Sequence, residues 1–380
     1  MSLEVLVNYL PALNMTLSGV GKYTYHITLN LFLKSKGKLN LSGLFLLKKR
    51  KFTNEDFKLN ENKLNSLSTI KNFLMKNYKF MEIARFFRDK ASIFVTADIY
   101  FEPNFVPLDV SAKRKICTVH DLSFFNPSFQ PYYRVKYFSE GFIKKTLKAD
   151  LIIVPSNFIK EEVVERFPWV EDRIKVIYHG IDHNIFNAKN EDFNKRRYIL
   201  FVGNIEPRKN LITLLKAYSL LPDKYKKEFP LVIVSYSGWK NENVYRYIDE
   251  AKLYKYVKFK SNILKDSDLA QIYRESILFV FPSLYEGFGF PVIEAMACGC
   301  PVVASNRGSI PEICKDAAVY FNPYDPEELM ERMKYLIDTP HKRKMMSDYG
   351  KTYSKKFSWE KAAEEYINTF LNLYGSSRRR

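Results

Sequence analysis

The stretch from Phe281 to Ser305 limits the possible folds of this chain more than any other segment. Its pattern predicts a buried strand over Ile277–Phe281, a glycine-containing loop with Glu286, a short helix with Glu294 and a second buried strand over Pro301–Ala304. Strand, loop, helix and strand in this order form a parallel α/β unit, which binds ligands beyond the carboxyl ends of its strands. Ionised carboxylates only accept hydrogen bonds, so the two glutamates suggest a ligand with hydroxyl groups.

Similar strand–helix units are predicted on both sides of this stretch. The predicted strands span residues 4–9, 39–47, 93–97, 115–120, 151–154, 174–178, 198–202, 231–235, 257–260, 277–281 and 317–321. A long helical segment is expected over residues 55–90, and the cationic run Lys48–Lys51 is interpreted as the solvated end of the second strand. Alternating strands and helices predict an α/β fold with two doubly wound parallel sheets, and a ligand cleft between them.

The alternation is interrupted by a polar segment, residues 183–197, which we interpret as a linker. We therefore predict an N-terminal domain over residues 1–182 and a C-terminal domain over residues 198–355. Residues 356–380 are expected to form a helix that crosses back to the first domain, followed by a basic tail.

A glycine pair near the N-terminus is a second candidate site. Gly19 and Gly21 are predicted to end a loop before a helix that runs to about Leu33. Free backbone N–H groups at such a turn can bind an anion, although a tight turn is the simpler interpretation. The segment is not a P-loop, because Thr16 stands where that motif has its first glycine.

Polar residues also follow other predicted strands. Arg208 and Lys209 directly precede a helix over Leu211–Leu220, where the helix dipole disfavours cations. A bound diphosphate would remove that conflict, because it is attracted by both the helix N-terminus and the two side chains. His120 ends the strand over residues 115–120, and a buried histidine with a structural hydrogen bond is the simpler interpretation there. A diphosphate combined with many hydroxyls describes a nucleotide sugar.

The net charge of +18 implies an anionic partner, unless it only reflects a Lys-rich composition. Nucleic acid, an anionic membrane face and phosphorylated substrates all fit, but no nucleic-acid module signature is present, so we expect no nucleic-acid partner. No apolar run is long enough for a transmembrane helix, and the cysteines have no disulfide or zinc spacing. We therefore expect a cytoplasmic protein, with peripheral contact at the inner membrane face as a further expectation.

Several segments together resemble the retaining family 4 (group 1) glycosyltransferases of the GT-B fold. FPSLYEGFGFPVIEAMACGCPVVAS carries the Glu-x7-Glu spacing of that family at Glu286 and Glu294. The other segments are FVGNIEPRKNL (201–211), IIVPSNFIKEEV (152–163), VIYHGID (176–182), CTVHDLSFF (117–125), GVGKYT (19–24) and FSWEKAA (357–363). They follow one another in the order of the family and cover most of the chain.

The resemblance implies that the C-terminal domain binds a nucleotide-diphosphate sugar and the N-terminal domain binds the acceptor. Arg208 and Lys209 would hold the donor diphosphate, Glu294 the ribose and Glu286 the hydroxyls of the transferred sugar. Three backbone N–H groups would also contact the sugar or phosphate, those of Phe288, Gly289 and Phe290.

From the N-terminal domain, the Gly19–Gly21 loop would close over the diphosphate and His120 would face the donor sugar near the reacting carbon. The resemblance implies front-face attack without a firmly assigned side-chain nucleophile, and neither a metal nor a cofactor is expected. The literal Asp-x-Asp sequence at Asp266–Asp268 is interpreted as the N-cap of a helix.

The chain departs from the family pattern at positions that border the donor. Asn204 stands where many relatives have Arg, and the segment around it resembles bacterial mannosyltransferases of polysaccharide assembly, so GDP-mannose is the expected donor. Ser235, Tyr236 and Ser261 replace glycines near the nucleotide, which leaves the base open. The alternatives are a transferase that uses a UDP-sugar (glucose, GlcNAc or galactose), a nucleotide-sugar epimerase, and a basic adaptor of membranes or nucleic acid.

Overall fold

A computed structural model describes residues 3–14, 19–35, 37–45, 48–57, 90, 92–130, 132–189, 196–235, 242–261, 263 and 265–376. Most of the helix expected over residues 55–90, and the departure noted at Tyr236, lie outside the described residues. In the part of the chain that is described, no helix combines the length and the apolar character needed to cross a membrane.

The described residues of the N-terminal half form a seven-stranded sheet with the order β3-β2-β1-β4-β5-β6-β7. The strands are β1 (Leu3–Asn8), β2 (Leu39–Phe45), β3 (Lys48–Lys51), β4 (Thr96–Glu102), β5 (Ser111–Thr118), β6 (Leu151–Val154) and β7 (Ile174–Val176). β3 runs antiparallel to β2, and the other neighbouring strands are parallel. Their apolar side chains form a buried core beneath the sheet.

The C-terminal half forms a six-stranded parallel sheet with the order β10-β9-β8-β11-β12-β13. The strands are β8 (Tyr198–Val202), β9 (Leu231–Val234), β10 (Val257–Lys260), β11 (Ser276–Phe281), β12 (Val302–Ser305) and β13 (Ala318–Phe321). The strand order reverses between β8 and β11, and ligands of open α/β sheets bind at such a reversal. The predicted fold class, two doubly wound α/β domains, is confirmed.

Helices connect the strands and cover both sheets. Within the described residues they are α1 (Gly19–Lys34), α2 (Tyr132–Lys144), α3 (Asn157–Arg166), α4 (Leu211–Leu220), α5 (Asp223–Glu228), α6 (Glu242–Glu250), α7 (Asp266–Glu275), α8 (Phe290–Ala297), α9 (Ile310–Cys314), α10 (Pro326–Asp338), α11 (Pro340–Ser354) and α12 (Trp359–Ser376). α12 packs against α1, and its apolar side chains join the core of the first sheet. The last helix thus returns to the N-terminal half.

The chain passes twice between the two halves at one place. The backbone N–H of Ile181 donates to the carbonyl oxygen of Phe357 at 3.3 Å. A Cβ atom added to Gly180 would lie 2.1 Å from the backbone nitrogen of Trp359. The two crossing segments therefore touch through their backbones, which requires glycine at position 180.

Two expectations about the first sheet were wrong. Lys48–Lys51 is not the end of the second strand but an edge strand of its own, and its cationic side chains discourage pairing with another chain. The strand expected over residues 93–97 lies at Thr96–Glu102, because the charge of Glu102 disguised its burial. Glu102 accepts hydrogen bonds from Asn8 Nδ2 at 2.9 Å and from Tyr100 Oη at 2.6 Å, which compensate the buried carboxylate.

Candidate active site

The candidate site lies where the loop after β11 meets the N-terminal half. A Cβ atom added to Gly287 would lie 1.8 Å from the carbonyl oxygen of His120 and 3.1 Å from Cβ of Asp121. Ser156, which follows β6, donates a hydrogen bond from Oγ to the carbonyl oxygen of Gly287 at 2.7 Å. Segments from both halves that were predicted to carry the site therefore meet here.

Glu286 is buried between two cations. Lys209 Nζ lies 2.5 Å from Oε1 of Glu286, and Arg208 Nη1 lies 3.1 Å from Oε2. Arg208 also pairs with Glu206 at 2.8 Å. Burial raises the pKa of Glu286, but the charges of Lys209 and Arg208 outweigh it, so the pKa is below its ordinary value. Among the described residues, the buried Nε of Arg208 has no hydrogen-bond partner.

The two cations reach Glu286 because β8 and β11 are neighbours at the reversal of strand order. Both lie in the short turn Pro207–Lys209, which follows β8 and precedes α4. Asn210 ends the turn in the left-handed conformation (φ 53°), which asparagine tolerates better than most residues. Its side-chain amide donates to the carbonyl oxygens of Pro282 (3.2 Å) and Pro323 (2.8 Å), which fixes the turn against the loop after β11.

Glu294 lies buried in α8, apart from the two cations. Its Oε2 accepts a hydrogen bond from Tyr273 Oη at 3.1 Å. Burial raises the pKa of Glu294 to about 7, with nearby Asp266 also raising it and Lys22 lowering it. This carboxyl group is therefore poised to change its charge near neutral pH.

The interpretation of Asp266 as a helix N-cap was wrong. Asp266 is the first residue of α7, and Lys265 occupies the N-cap position without a side-chain hydrogen bond. The carboxylate of Asp266 instead pairs with Nζ of Lys22 on α1 at 2.5 Å, across the cleft. Within the described ranges, no group of three or more His, Cys, Asp or Glu residues is arranged to hold a metal ion.

The glycine pair also lies differently from the prediction. α1 begins at Gly19, so Gly19 and Gly21 form its first turn instead of a loop, an arrangement that the low helix propensity of glycine concealed. A Cβ atom on Gly19 would lie 3.8 Å from the ring of Phe290. Phe290 begins α8, after Gly289 in a left-handed conformation (φ 96°). The N-termini of two helices, both electropositive, thus lie side by side.

His120 is partly buried, and both of its ring nitrogens have partners. Nε2 lies 2.8 Å from the carbonyl oxygen of Pro103, and Nδ1 lies 3.2 Å from Nε2 of His179. Because a carbonyl only accepts, the proton of neutral His120 resides on Nε2, and His179 donates to Nδ1. Burial lowers the pKa of His120 to about 4, so its ring is neutral at pH 7.

Aromatic rings connect His179 to the loop after β11 and to the start of α8. The ring of Phe290 stacks on His179 at a centroid distance of 5.4 Å, and the ring of Phe288 is buried 4.9 Å from it. Trp359 at the start of α12 packs against Phe290 at 6.0 Å. The side chains of Phe288 and Phe290 are therefore part of the packing between the halves, which leaves their backbones to line the cleft.

Sequence reasoning did not assign roles to several residues that contact this loop. Tyr285 donates to Glu162 Oε2 at 2.5 Å and accepts from the backbone N–H of Leu122 at 2.8 Å. Glu312 accepts a hydrogen bond from the backbone N–H of Phe158 in the opposite half. His179 contacts the ring of His120. His179 and Tyr285 lie inside the segments that carry the family resemblance, which was an available signal. Glu162 also lies inside such a segment (152–163), whereas Glu312 is a single charge on a helix and gave no signal.

Comparisons with known proteins cover most of the chain. The family model described as "Glycosyl transferases group 1" matches residues 182–353, and "Glycosyltransferase Family 4" matches residues 94–185. O-antigen chain mannosyltransferase B of Escherichia coli is 31% identical over 285 residues, which are 72% of this chain and 74% of that protein.

Two further similarities extend the comparison. Serotype-specific mannosyltransferase WbdA of Escherichia coli is also 31% identical, over 293 residues, but this match spans only 35% of that protein. In structure, sucrose-phosphate synthase from Thermosynechococcus elongatus superposes with a TM-score of 0.70 at 18% identity, and the match covers 99% of this chain and 100% of that one. At this identity, the structural likeness concerns the fold.

Proposed function

Because the chain belongs to the family 4, group 1 glycosyltransferases and has their GT-B fold, we propose a specific hexose transfer as its function. The enzyme moves mannose from GDP-mannose to a hydroxyl of a glycan or lipid-linked acceptor in the assembly of a cell-surface polysaccharide. Support for mannose comes from relatives of 31% identity that are named mannosyltransferases, one of them of the O-antigen chain.

The observation that carries this proposal is the ionised cluster around Glu286. The oxygens of a donor diphosphate would attract Lys209 and Arg208, whose Nε is buried and has no partner among the described residues. As these cations turn to the diphosphate, the carboxylate of Glu286 becomes available to accept hydrogen bonds from sugar hydroxyls. The cluster therefore supplies both kinds of group that a nucleotide-diphosphate sugar needs.

The remaining donor contacts follow from the two helix N-termini and from Glu294. Backbone N–H groups at the start of α1, around Gly19 and Gly21, and those from Phe288 to Phe290 would bind the diphosphate and the sugar. Glu294 would bind the ribose hydroxyls. Since an ionised carboxylate accepts from two hydroxyls, ribose binding would favour the charged form of Glu294 and lower its pKa from about 7.

We propose a retaining, front-face transfer. The bond from the anomeric carbon to the diphosphate oxygen breaks, the acceptor oxygen bonds to the same face of that carbon, and the acceptor proton passes to the leaving phosphate oxygen. Arg208 and Lys209 stabilise the charge on the leaving nucleoside diphosphate. His120 is neutral and both ring nitrogens are engaged, so its role is to form the wall beside the reacting carbon.

The reaction as proposed needs no metal or other cofactor, because two cationic side chains and two helix N-termini supply the positive charge. For a lipid-linked acceptor, the net charge of +18 supports peripheral contact of a cytoplasmic enzyme with the anionic inner membrane face. Sedimentation with vesicles that contain anionic lipid tests this. Binding should weaken as salt rises, and absent or salt-insensitive binding would contradict it.

The donor is tested by a screen of GDP-mannose, UDP-glucose, UDP-GlcNAc and UDP-galactose for slow hydrolysis and thermal stabilisation. A donor at 100 times its Kd should stabilise the protein by about 2.7 kcal/mol. Preference for a UDP-sugar would replace the proposed donor, and conversion of the sugar without transfer would indicate an epimerase. If no nucleotide sugar stabilises the protein, an adaptor without enzymatic activity is favoured.

A further inference from the structure

Glu312, on α9 of the C-terminal domain, binds the N-terminus of α3 in the opposite domain. Its Oε1 accepts from the backbone N–H of Asn157 at 2.8 Å and its Oε2 from that of Phe158 at 2.9 Å. Oε1 also accepts from Asn157 Nδ2 at 2.9 Å and from Tyr178 Oη at 2.8 Å. One carboxylate thus satisfies two N–H groups that the first turn of a helix leaves without an intrahelical partner.

The same helix and its N-cap touch both neighbours of Glu286. The N-cap residue Ser156 donates to the carbonyl oxygen of Gly287 at 2.7 Å, and Glu162, in the second turn of α3, accepts from Tyr285 Oη at 2.5 Å. The loop after β11 is therefore held immediately before and immediately after Glu286.

α9 is in turn connected to Glu286 itself. Ser309, directly before α9, donates its backbone N–H to the carbonyl oxygen of Glu286 at 3.1 Å. Ser309, which holds the Glu286 backbone, thus lies only three positions before Glu312, which contacts α3. Separation of the domains would break all the contacts to α3 at once, whereas the bond from Ser309 stays within one domain.

We propose that Glu312 and α3 form a closure clasp, defined as Glu312, Ser156 and Glu162 with their partners, that positions Glu286 only when the two domains close. Glu312 is then a positioning residue. It touches no donor atom but stabilises the closed state in which Glu286 is held from both sides. A carboxylate at a helix N-terminus is favoured by the helix dipole, so both its charge and its shape matter.

If the clasp acts in this way, its loss should lower kcat more than it weakens the binding of a nucleoside diphosphate. Arg208, Lys209 and Glu294 all lie in the C-terminal domain, so the clasp is not needed for them to bind a nucleoside diphosphate. Because only the α1 contacts to the diphosphate depend on closure, Glu312→Ala should lower kcat at least tenfold and weaken the binding of guanosine or uridine diphosphate by a clearly smaller factor. Glu312→Gln keeps the shape without the charge and should recover part of kcat.

Two measurements separate the clasp from the proposed transfer reaction. Small-angle X-ray scattering of the full chain, with and without nucleoside diphosphate, should show a larger radius of gyration for Glu312→Ala than for the wild type. This readout needs no turnover, so it tests the clasp even if the donor sugar differs from the one proposed. Glu331→Ala, which removes an exposed glutamate of α10, is the matched control and should leave kcat and the radius unchanged.

Loss of folding does not imitate the expected result, because α3 in Glu312→Ala retains the bond from Ile159 N–H to Ser156 Oγ at its N-cap. A wild-type kcat and radius of gyration in Glu312→Ala would overturn the proposal. So would a loss of kcat accompanied by an equal loss of nucleoside diphosphate binding, since that would place Glu312 in donor binding.

Discussion

Substitution of Gly287 by alanine is the sharpest test of how closely the two domains must approach. In the closed structure, an alanine Cβ would lie 1.8 Å from the carbonyl oxygen of His120. Real Cβ contacts stay beyond 3.0 Å, so the two backbones must separate by at least about 1.2 Å. Gly287 and His120 belong to opposite domains, so moving their backbones apart opens the cleft.

The size of the effect follows from the hydrogen bonds that cross at this point. Two hydrogen bonds would lengthen beyond roughly 3.5 Å. One joins Ser156 Oγ to the carbonyl oxygen of Gly287 (2.7 Å), and the other joins the backbone N–H of Leu122 to Tyr285 Oη (2.8 Å). A net loss of about 0.5–1.5 kcal/mol for each bond removes about 1–3 kcal/mol from the closed state. At 1.4 kcal/mol for each factor of ten, transfer should slow by roughly 5- to 150-fold.

The assay is the initial rate of transfer at saturating donor, with the melting temperature recorded for the same samples. Gly350→Ala is the matched control, because a Cβ there would meet Met296 at an ordinary 3.4 Å and alanine favours the interior of α11. Gly287→Ala should lose rate while its melting temperature stays near that of the control. A variant that keeps more than half of the wild-type rate would refute the closed arrangement as the active one.

Other substitutions and conditions test the remaining assignments. Lys209→Ala and Glu286→Ala should each lower the transfer rate at least 100-fold in folded protein, because the first removes a cation from the leaving diphosphate and the second a hydroxyl acceptor; near-normal rates in either would contradict its role. The raised pKa of Glu294, about 7 against an ordinary 4.5, means that the folded state binds more protons than the unfolded state between these values, so its contribution to stability is lost as pH rises from about 4.5 to 7. Glu294→Gln should remove that loss in thermal melts at pH 5 and pH 8 and should also weaken nucleoside diphosphate binding; an unchanged pH profile would show that Glu294 does not titrate there. EDTA should leave the transfer rate unchanged, and a rate that falls with EDTA and returns with Mg²⁺ or Mn²⁺ would establish a metal requirement.

Local sequence patterns were sufficient for elements whose charge and burial agree. β6 and β8 lie where the apolar runs predicted them. The position of β4 was predicted wrongly, because Glu102 is a buried carboxylate whose compensating partner, Asn8, is distant in the chain. The first turn of α1 was predicted as a loop, because its two glycines disfavour a helix locally. In the fold, packing stabilises this turn as a helix.

The sequence alone determined the α/β class, the two sheets and the residues that follow their strands. Strand and helix patterns depend on residues that are close together in the chain, so they can be recognised locally. It placed Glu286 and Lys209 in one candidate site, but not at 2.5 Å from each other. Only the tertiary structure decided that Asp266 pairs with Lys22, that His120 is held by His179 and Pro103, and that Glu312 reaches α3. Each of these contacts joins segments far apart in the chain, and their geometry depends on how two separately folded sheets approach each other, which no local pattern encodes.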